Sequence, residues 1–385
     1  MDPPIGYRSY MSPLLEFFLT SIALPSDTAG TNSLSHHLRS EWMKHAMTDP
    51  CLFHATLFSA SASIDMLRGQ QNTAVTLYHQ TWAIRLLNER LAQPEPVLTY
   101  ATLGAVIPLL YYNMVALDQD SAVTHQRGLV KMLLATPKSV RNDIGPLIAI
   151  VKIAMLSFAC IYGMQPTWDC LDSESVRPNS LLRNVVSRAA LGTGRSVFQK
   201  QTMDGILDVY EEVSRLDQCV HADHTCNIHE DFERAHPLAT SDLTIPLTEP
   251  HNPLTSSERL NACCYLSCHI FWKALQGRRR RQSPGEQTPR PMDHYGLIRE
   301  LLKYLLQVEP LYWIRNAPEA FTWAAFTGAA ASSQPDLRAT FINHAATVIT
   351  AIDGEDLTLI RQGWRYFGLV KGLEGNEDLR VGLDH

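Results

Sequence analysis

The densest set of side chains able to do chemistry is Cys219, His221, His224, Cys226 and His229. Thiolate and neutral imidazole are zinc ligands, and a structural zinc site takes four of them in a tetrahedron. Finger-type sites space their ligands as two close pairs around a loop, and this run does not. The spacing therefore reads as a His-rich polar loop, with a zinc-dependent interaction module as the rival reading. Cys263, Cys264 and Cys268 fall on an amphipathic helical pattern, where cysteine acts as a small core residue. Asp204 and Asp208 sit one turn apart, as do Glu211 and Arg215, in the pattern of a solvated helix face. His54, His79 and His125 lie singly within helical segments and read as hydrogen-bonded core or surface groups. There is no nucleophile elbow, phosphate-cradling glycine loop or His-Glu-x-x-His. No catalytic residue, cofactor or metal is therefore expected, and the chain reads as a non-enzyme. The one compact charge run is Arg278, Arg279, Arg280 and Arg281. It is read either as a cationic helix end that complements the backbone dipole or as a patch for nuclear import or an anionic partner.

The elements that would position these groups are helical. Asp49-Pro50 is a capping residue followed by proline at the first helical position. Behind it Phe53, Leu57, Ala60, Ile64 and Leu67 recur at four, three, four and three, one stripe of a helix that Gly69 stops. Asn72 is expected to cap the next helix, through Leu91, with Leu77, Ile84, Leu87 and Leu91 facing inward. Thr99–Leu117 should be a helix kinked at Pro108. Ser121–Leu134 follows, then Pro146–Tyr162, apolar nearly all round and so central. Shorter helices are expected at 181–190 and 203–216, and a long polar loop at 217–253. Thr255 and Glu258 form a capping-box pattern that opens a helix to about Gln276. Gly277–Pro291 reads as a basic, proline-containing linker. His294–Val308, Pro318–Ala331, Asp336–Ile352 and Glu355–Val370 complete an all-α fold of about a dozen helices without a substantial sheet. Residues 1–40 are expected to lead into one large helical domain over 41–385, with polar loops near 217–253 and 277–292.

The chain has 385 residues, 45 % of them hydrophobic and 19 % charged, with a formal net charge of −6. That is enough apolar material for a large core and excludes wholesale disorder. A slightly acidic balance argues against a surface built to grip phosphates. Eight unevenly spread cysteines read as reduced thiols of a cytosolic or nuclear protein. The first residues, Met1 to Phe18, lack the pattern of a secretory signal. The uncharged runs Val97–Leu117 and Leu147–Met164 are read as buried helices rather than spans, because the first carries five or more polar groups with acidic flanks and the second carries Lys152.

Four stretches carry a family likeness. Trp42–Gly69 combines a tryptophan, an Asp-Pro helix start and an alanine-rich helix. Leu77–Leu91 has a Tyr-His start leading to Ala-Ile-Arg-Leu-Leu. Thr99–Leu110 with His125–Leu133 contains His-x-x-Gly-Leu, followed here by Ala135-Thr136-Pro137 where a double glycine is common. Phe321–Ile342, with Trp364 beyond it, is the fourth. In this order they resemble the helical regulatory region that follows the zinc binuclear cluster in fungal-specific transcription factors. The resemblance implies a nuclear regulator of a metabolic or secondary-metabolite gene set. No six-cysteine cluster stands ahead of Trp42, so the implied route is through protein partners or a small-molecule effector rather than direct sequence-specific DNA binding, with no membrane association and with homo- or hetero-dimers open. Trp42, Trp82, Trp168, Trp272, Trp313, Trp323 and Trp364 read first as core and second as lining for such a ligand or partner groove. The rival from a different class is a helical enzyme or ligand-binding protein acting on an apolar metabolite.

Overall fold

The structure is a computed structural model. It describes residues 3–25, 32–70, 72–93, 98–164, 255–282, 295–354 and 357–371. These are all-α: no strand occurs among the described residues. The helices are α1 (Met11–Phe17), α2 (Leu34–His37), α3 (Met43–Ala46), α4 (Pro50–Leu67), α5 (Ala74–Leu91), α6 (Tyr100–Val115), α7 (Gln119–Ala135), α8 (Lys138–Asp143), α9 (Gly145–Tyr162), α10 (Ser256–Gln282), α11 (Tyr295–Gln307), α12 (Pro310–Asn316), α13 (Pro318–Ala331), α14 (Pro335–Ile352) and α15 (Thr358–Lys371). Two π-helical stretches, Phe18–Ile22 and Leu38–Trp42, continue α1 and join α2 to α3.

Local chemistry sets the helix ends. Asp49 accepts from the amides of Cys51 and Leu52, and Pro50 opens α4. Gly69 follows α4 at φ 62°, a left-handed conformation that suits glycine. Thr73 rather than Asn72 caps α5, accepting from Thr76 N, while Asn72 donates to the Tyr112 hydroxyl. Thr255 and Glu258 close the expected capping box: the Thr255 amide donates to the Glu258 carboxylate at 2.8 Å and the Glu258 amide to the Thr255 hydroxyl at 3.3 Å. That helix, α10, does not stop at Gln276 but runs to Gln282. Arginine and glutamine are good helix formers, cations complement the C-terminal dipole, and one interior glycine costs only about 1 kcal/mol. The segment expected to be a linker from Gly277 is therefore helical over its first residues, and 283–294 lie outside the described residues.

The chain forms two compact units, the first holding the described residues up to 164 with 334–360, the second those of 255–333 and 361–371. In the first, α4 packs on α5 and α6, α6 on α7 and α9, and α9 on α14. Gly104 of α6 lets α4 come close: a Cβ there would lie 3.1 Å from Leu52 and 3.3 Å from the Trp42 ring. α6 stays helical through Pro108. α9 is buried on nearly every side, as its composition requires. It is the one described helix long and apolar enough to cross a membrane, and 72 % of that window is buried inside the protein. In the second unit α10 packs on α11 and α13, and Trp323 sits between Phe271 and Tyr366 with ring centroids 4.7 and 4.8 Å away.

The link after α6 holds a conformational cost. Leu117 has φ 57°, which L-residues with a Cβ adopt only under strain, and its side chain is partly exposed. Leu117→Gly is expected to stabilise the chain by about 0.5–1 kcal/mol, read as a higher midpoint in urea unfolding.

Candidate functional site

The inward face of α5 is only partly the one that apolarity marks: Leu87 faces inward as expected and Ile84 is half-buried. Thr76, His79, Ala83 and Leu87 are buried, whereas Leu77 and Leu91 are exposed. The period is helical as expected, but the face is turned, because Thr76 and His79 find polar partners on α4. The stripe read on α4 is likewise too narrow. Residues from Cys51 to Phe58 are buried on every side, and Leu67 at its end is 77 % exposed.

At the centre of this hairpin the rings of His54 (α4) and His79 (α5) meet with their Nδ1 atoms 2.8 Å apart. At that distance one Nδ1–H donates to the lone pair of the other, so the two imidazoles share a single proton between them. His54 is 3 % exposed and His79 is fully buried. Burial pulls His54 down to about 4 and His79 to about 3, the latter helped by the neighbouring His54 and Arg8. Both are neutral at pH 7. Nε2 of His79 is buried without a hydrogen-bond partner. Aromatic rings enclose the pair. Trp82 stacks on His54 at 5.9 Å, Tyr10 meets His79 edge-on at 5.8 Å, and Tyr78 lies at 5.1 Å from His79. Arg8 stands over Tyr78 at 5.5 Å and Arg85 over Trp82 at 4.9 Å. The result is a column running from an exposed guanidinium through an indole to two buried imidazoles.

The hairpin is fastened on both sides of this pair. Arg90 donates two bonds to Asp49, at 2.9 and 2.8 Å. Cys51 Sγ lies 3.6 Å from the Ala83 carbonyl. Beyond the histidines, Asp65 of α4 accepts from the Thr73 amide at 2.8 Å and from the Thr76 hydroxyl at 2.6 Å, and Ser61 bonds the same hydroxyl. Burial pushes the Asp65 carboxyl up, but these hydrogen bonds outweigh it and hold it below its ordinary value.

A second aromatic group lies where the two π-helical turns meet. Phe18 stacks on Trp42 at 6.3 Å, and Arg39 donates to the Leu19 carbonyl at 2.8 Å. Trp42 donates to Thr56 at 2.9 Å. Tyr100 bonds His37 Nε2 at 2.7 Å and stacks on His45 at 4.1 Å. Burial raises the Tyr100 phenol and lowers His37, so these two are neutral at pH 7.

Arg278–Arg281 occupy the last turns of α10. The Cys219–His229 run, Asp204, Asp208, Glu211, Arg215, Trp168 and the expected helices at 181–190 and 203–216 lie outside the described residues. Among the described residues no group of three or more His, Cys, Asp or Glu could hold a metal ion. Burial pushes the thiols of Cys51 and Cys264 up to about 12 and those of Cys160 and Cys263 well above their ordinary value. These four are free, buried and protonated, which is the chemistry of core packing and not of a nucleophile. Trp42, Trp313 and Trp323 are fully buried and Trp364 nearly so, while Trp82 is half-buried. The core reading holds for Trp42, Trp313, Trp323 and Trp364. In the sequence His54 and His79 read singly, as hydrogen-bonded core or surface groups, and both lie in the core. Their mutual bond spans 25 positions and leaves no local trace.

Compared with protein-family models, curated proteins and solved structures, the chain gives no significant match.

Proposed function

We propose that this chain is a transcriptional regulator of the fungal-specific kind, a helical regulatory domain that acts in the nucleus through protein partners or a small-molecule effector on a metabolic or secondary-metabolite gene set. The observation that carries the reading is the order of the four resembling stretches. Each of them falls on helices whose role is packing. Trp42 is anchored on Thr56 beside the Asp49-Pro50 start of α4, and Leu77–Leu91 lies in α5. Thr99–Leu110 and His125–Leu133 lie in α6 and α7, and Phe321–Ile342 spans α13 into α14. The electrostatics agree with a recognition role. The buried imidazoles are neutral and the buried thiols are protonated, so the first unit's polar centres hold helices together. Arg278–Arg281, on the end of α10, is the patch for import or for an anionic partner.

Deleting the gene is expected to change the levels of a restricted set of transcripts, and restoring the full chain is expected to reverse the change. Arg278→Ala to Arg281→Ala together should move a fluorescent fusion out of the nucleus. Transcript levels that are the same with and without the chain refute the proposal.

A further inference from the structure

Between its two fastenings the α4–α5 hairpin carries the His54–His79 pair, and the element lying over His79 is the N-terminal arm, residues 3–17. The arm's hydrogen bonds are local, as in Tyr7–Ser12, Met11 N to the Arg8 carbonyl and the Thr20 hydroxyl to the Glu16 carbonyl. It holds the hairpin by Tyr10 on His79, by Arg8 over Tyr78, and by burial of Met11 and Leu14. Its far end is pinned separately, by Phe18 on Trp42 and by Arg39 on Leu19 O.

The pair cannot accept two protons where it stands. With one proton added, an imidazolium donates to the remaining neutral ring. With both added, two Nδ1–H groups face each other at 2.8 Å with no lone pair between them, and the rings must part. The groups around them do not relieve the charge. Arg8 and Tyr10 face the pair from the arm, Tyr78 flanks His79 on α5, Cys51 lies one turn before His54 on α4, and Tyr112 of α6 packs on Phe58, one turn after it. Asp49 is engaged by Arg90 and Asp65 by Thr73 and Thr76, and neither carboxylate acts on the imidazoles.

We infer that the N-terminal arm is a proton-released cover: when His54 and His79 each take up a proton from solvent, Arg8 and Tyr10 lift away, the arm swings on the π-helical turn Phe18–Ile22, and the Tyr78–Trp82 face of α5 is uncovered while α4 and α5 stay joined. Both imidazoles are held below the ordinary histidine value of about 6.5 when covered and return toward it when exposed. The lifted form therefore binds more protons below about pH 6.5, and acid favours it there. Above that pH neither form is protonated and the equilibrium is flat. The lifting constant is expected to rise by up to about tenfold per pH unit for each imidazole.

Hydrogen exchange of the full chain, corrected for the intrinsic pH dependence of exchange, tests this. Peptides covering residues 8–18 should keep constant protection from about pH 8 to 6.5 and lose about 10- to 100-fold per unit below it, while peptides from α9 keep theirs. The double variant His54→Asn, His79→Gln keeps a hydrogen-bonding pair that does not titrate, and its arm should show no pH dependence. Should that variant not fold, His79→Gln alone leaves one titrating imidazole whose Nδ1–H can donate to the glutamine oxygen, and the loss of protection should fall to about tenfold per unit or less. Constant protection of the arm down to about pH 4.5, loss in α9 at the same pH as in the arm, or an unchanged slope in the variants overturns the inference.

Discussion

Gly363→Ala is expected to destabilise the second unit by about 3 kcal/mol or more, the largest effect of any glycine in the described residues. A Cβ on Gly363 of α15 would lie 2.5 Å from two carbons of the Phe326 ring, well inside contact distance. Phe326 is itself fully buried on α13, so the ring has nowhere to turn and the two helices would have to separate. Helix propensity works the other way, favouring alanine over glycine by about 1 kcal/mol, and is too small to decide the sign. Gly128, inside α7, is the control: nothing lies within 4 Å of its added Cβ. Gly128→Ala should raise stability by about 0.5–1 kcal/mol on propensity alone. Denaturant unfolding of both variants, followed by far-UV circular dichroism, measures the contrast. A neutral Gly363→Ala would mean that α15 does not approach Phe326 so closely.

Asp65→Ala is expected to cost about 3 kcal/mol in the first unit. Its carboxylate satisfies two donors at once, the half-buried Thr73 amide that begins α5 and the buried Thr76 hydroxyl. Removing it strands the Thr73 amide and takes a charged acceptor from the Thr76 hydroxyl, which keeps only Ser61 and Thr73, and a stranded donor of this kind costs about 1–3 kcal/mol. Asp65→Asn should cost about half as much, because an amide oxygen still accepts but without the charge. The acid dependence separates this carboxylate from the histidines. Its pKa is lowered in the folded chain, so its contribution is present above the unfolded aspartate value of about 3.9 and is lost only as pH falls below that. The imidazole pair acts earlier, from about pH 6.5 downward. Urea unfolding of the wild type and Asp65→Asn between pH 7 and 3 should therefore show curves that run parallel above about pH 5 and converge below it. Asp65→Ala within about 0.5 kcal/mol of wild type would remove the network from the account of how α5 is held.

Much of the helical fold was legible from local chemistry. Asp49-Pro50, the Thr255–Glu258 box and Pro318 each start a helix where the backbone amides need an acceptor or tolerate its absence, and those starts are where the structure has them. Such signals work because their partners lie within four positions along the chain. The continuous apolarity of Pro146–Tyr162 likewise required burial, and α9 is buried.

What the residues in order did not determine is which face of a helix meets which neighbour. On α5 two of the apolar positions, Leu77 and Leu91, point to solvent, while Thr76 and His79 are buried beside Ala83 and Leu87. A polar side chain is admitted to a core only by a partner, and here the partners are Asp65 and His54, 11 and 25 positions away. Periodicity assigns an angle around a helix axis but carries nothing about distant acceptors. The approach of Gly363 to Phe326, and the meeting of two π-helical turns through Phe18, Trp42 and Arg39, belong to the same class. The amino-acid order by itself determined that this protein is built of helices and where most of them begin. Tertiary structure alone decided that two histidines share a proton beneath an arginine-bearing arm, because that arrangement exists only once the hairpin has closed.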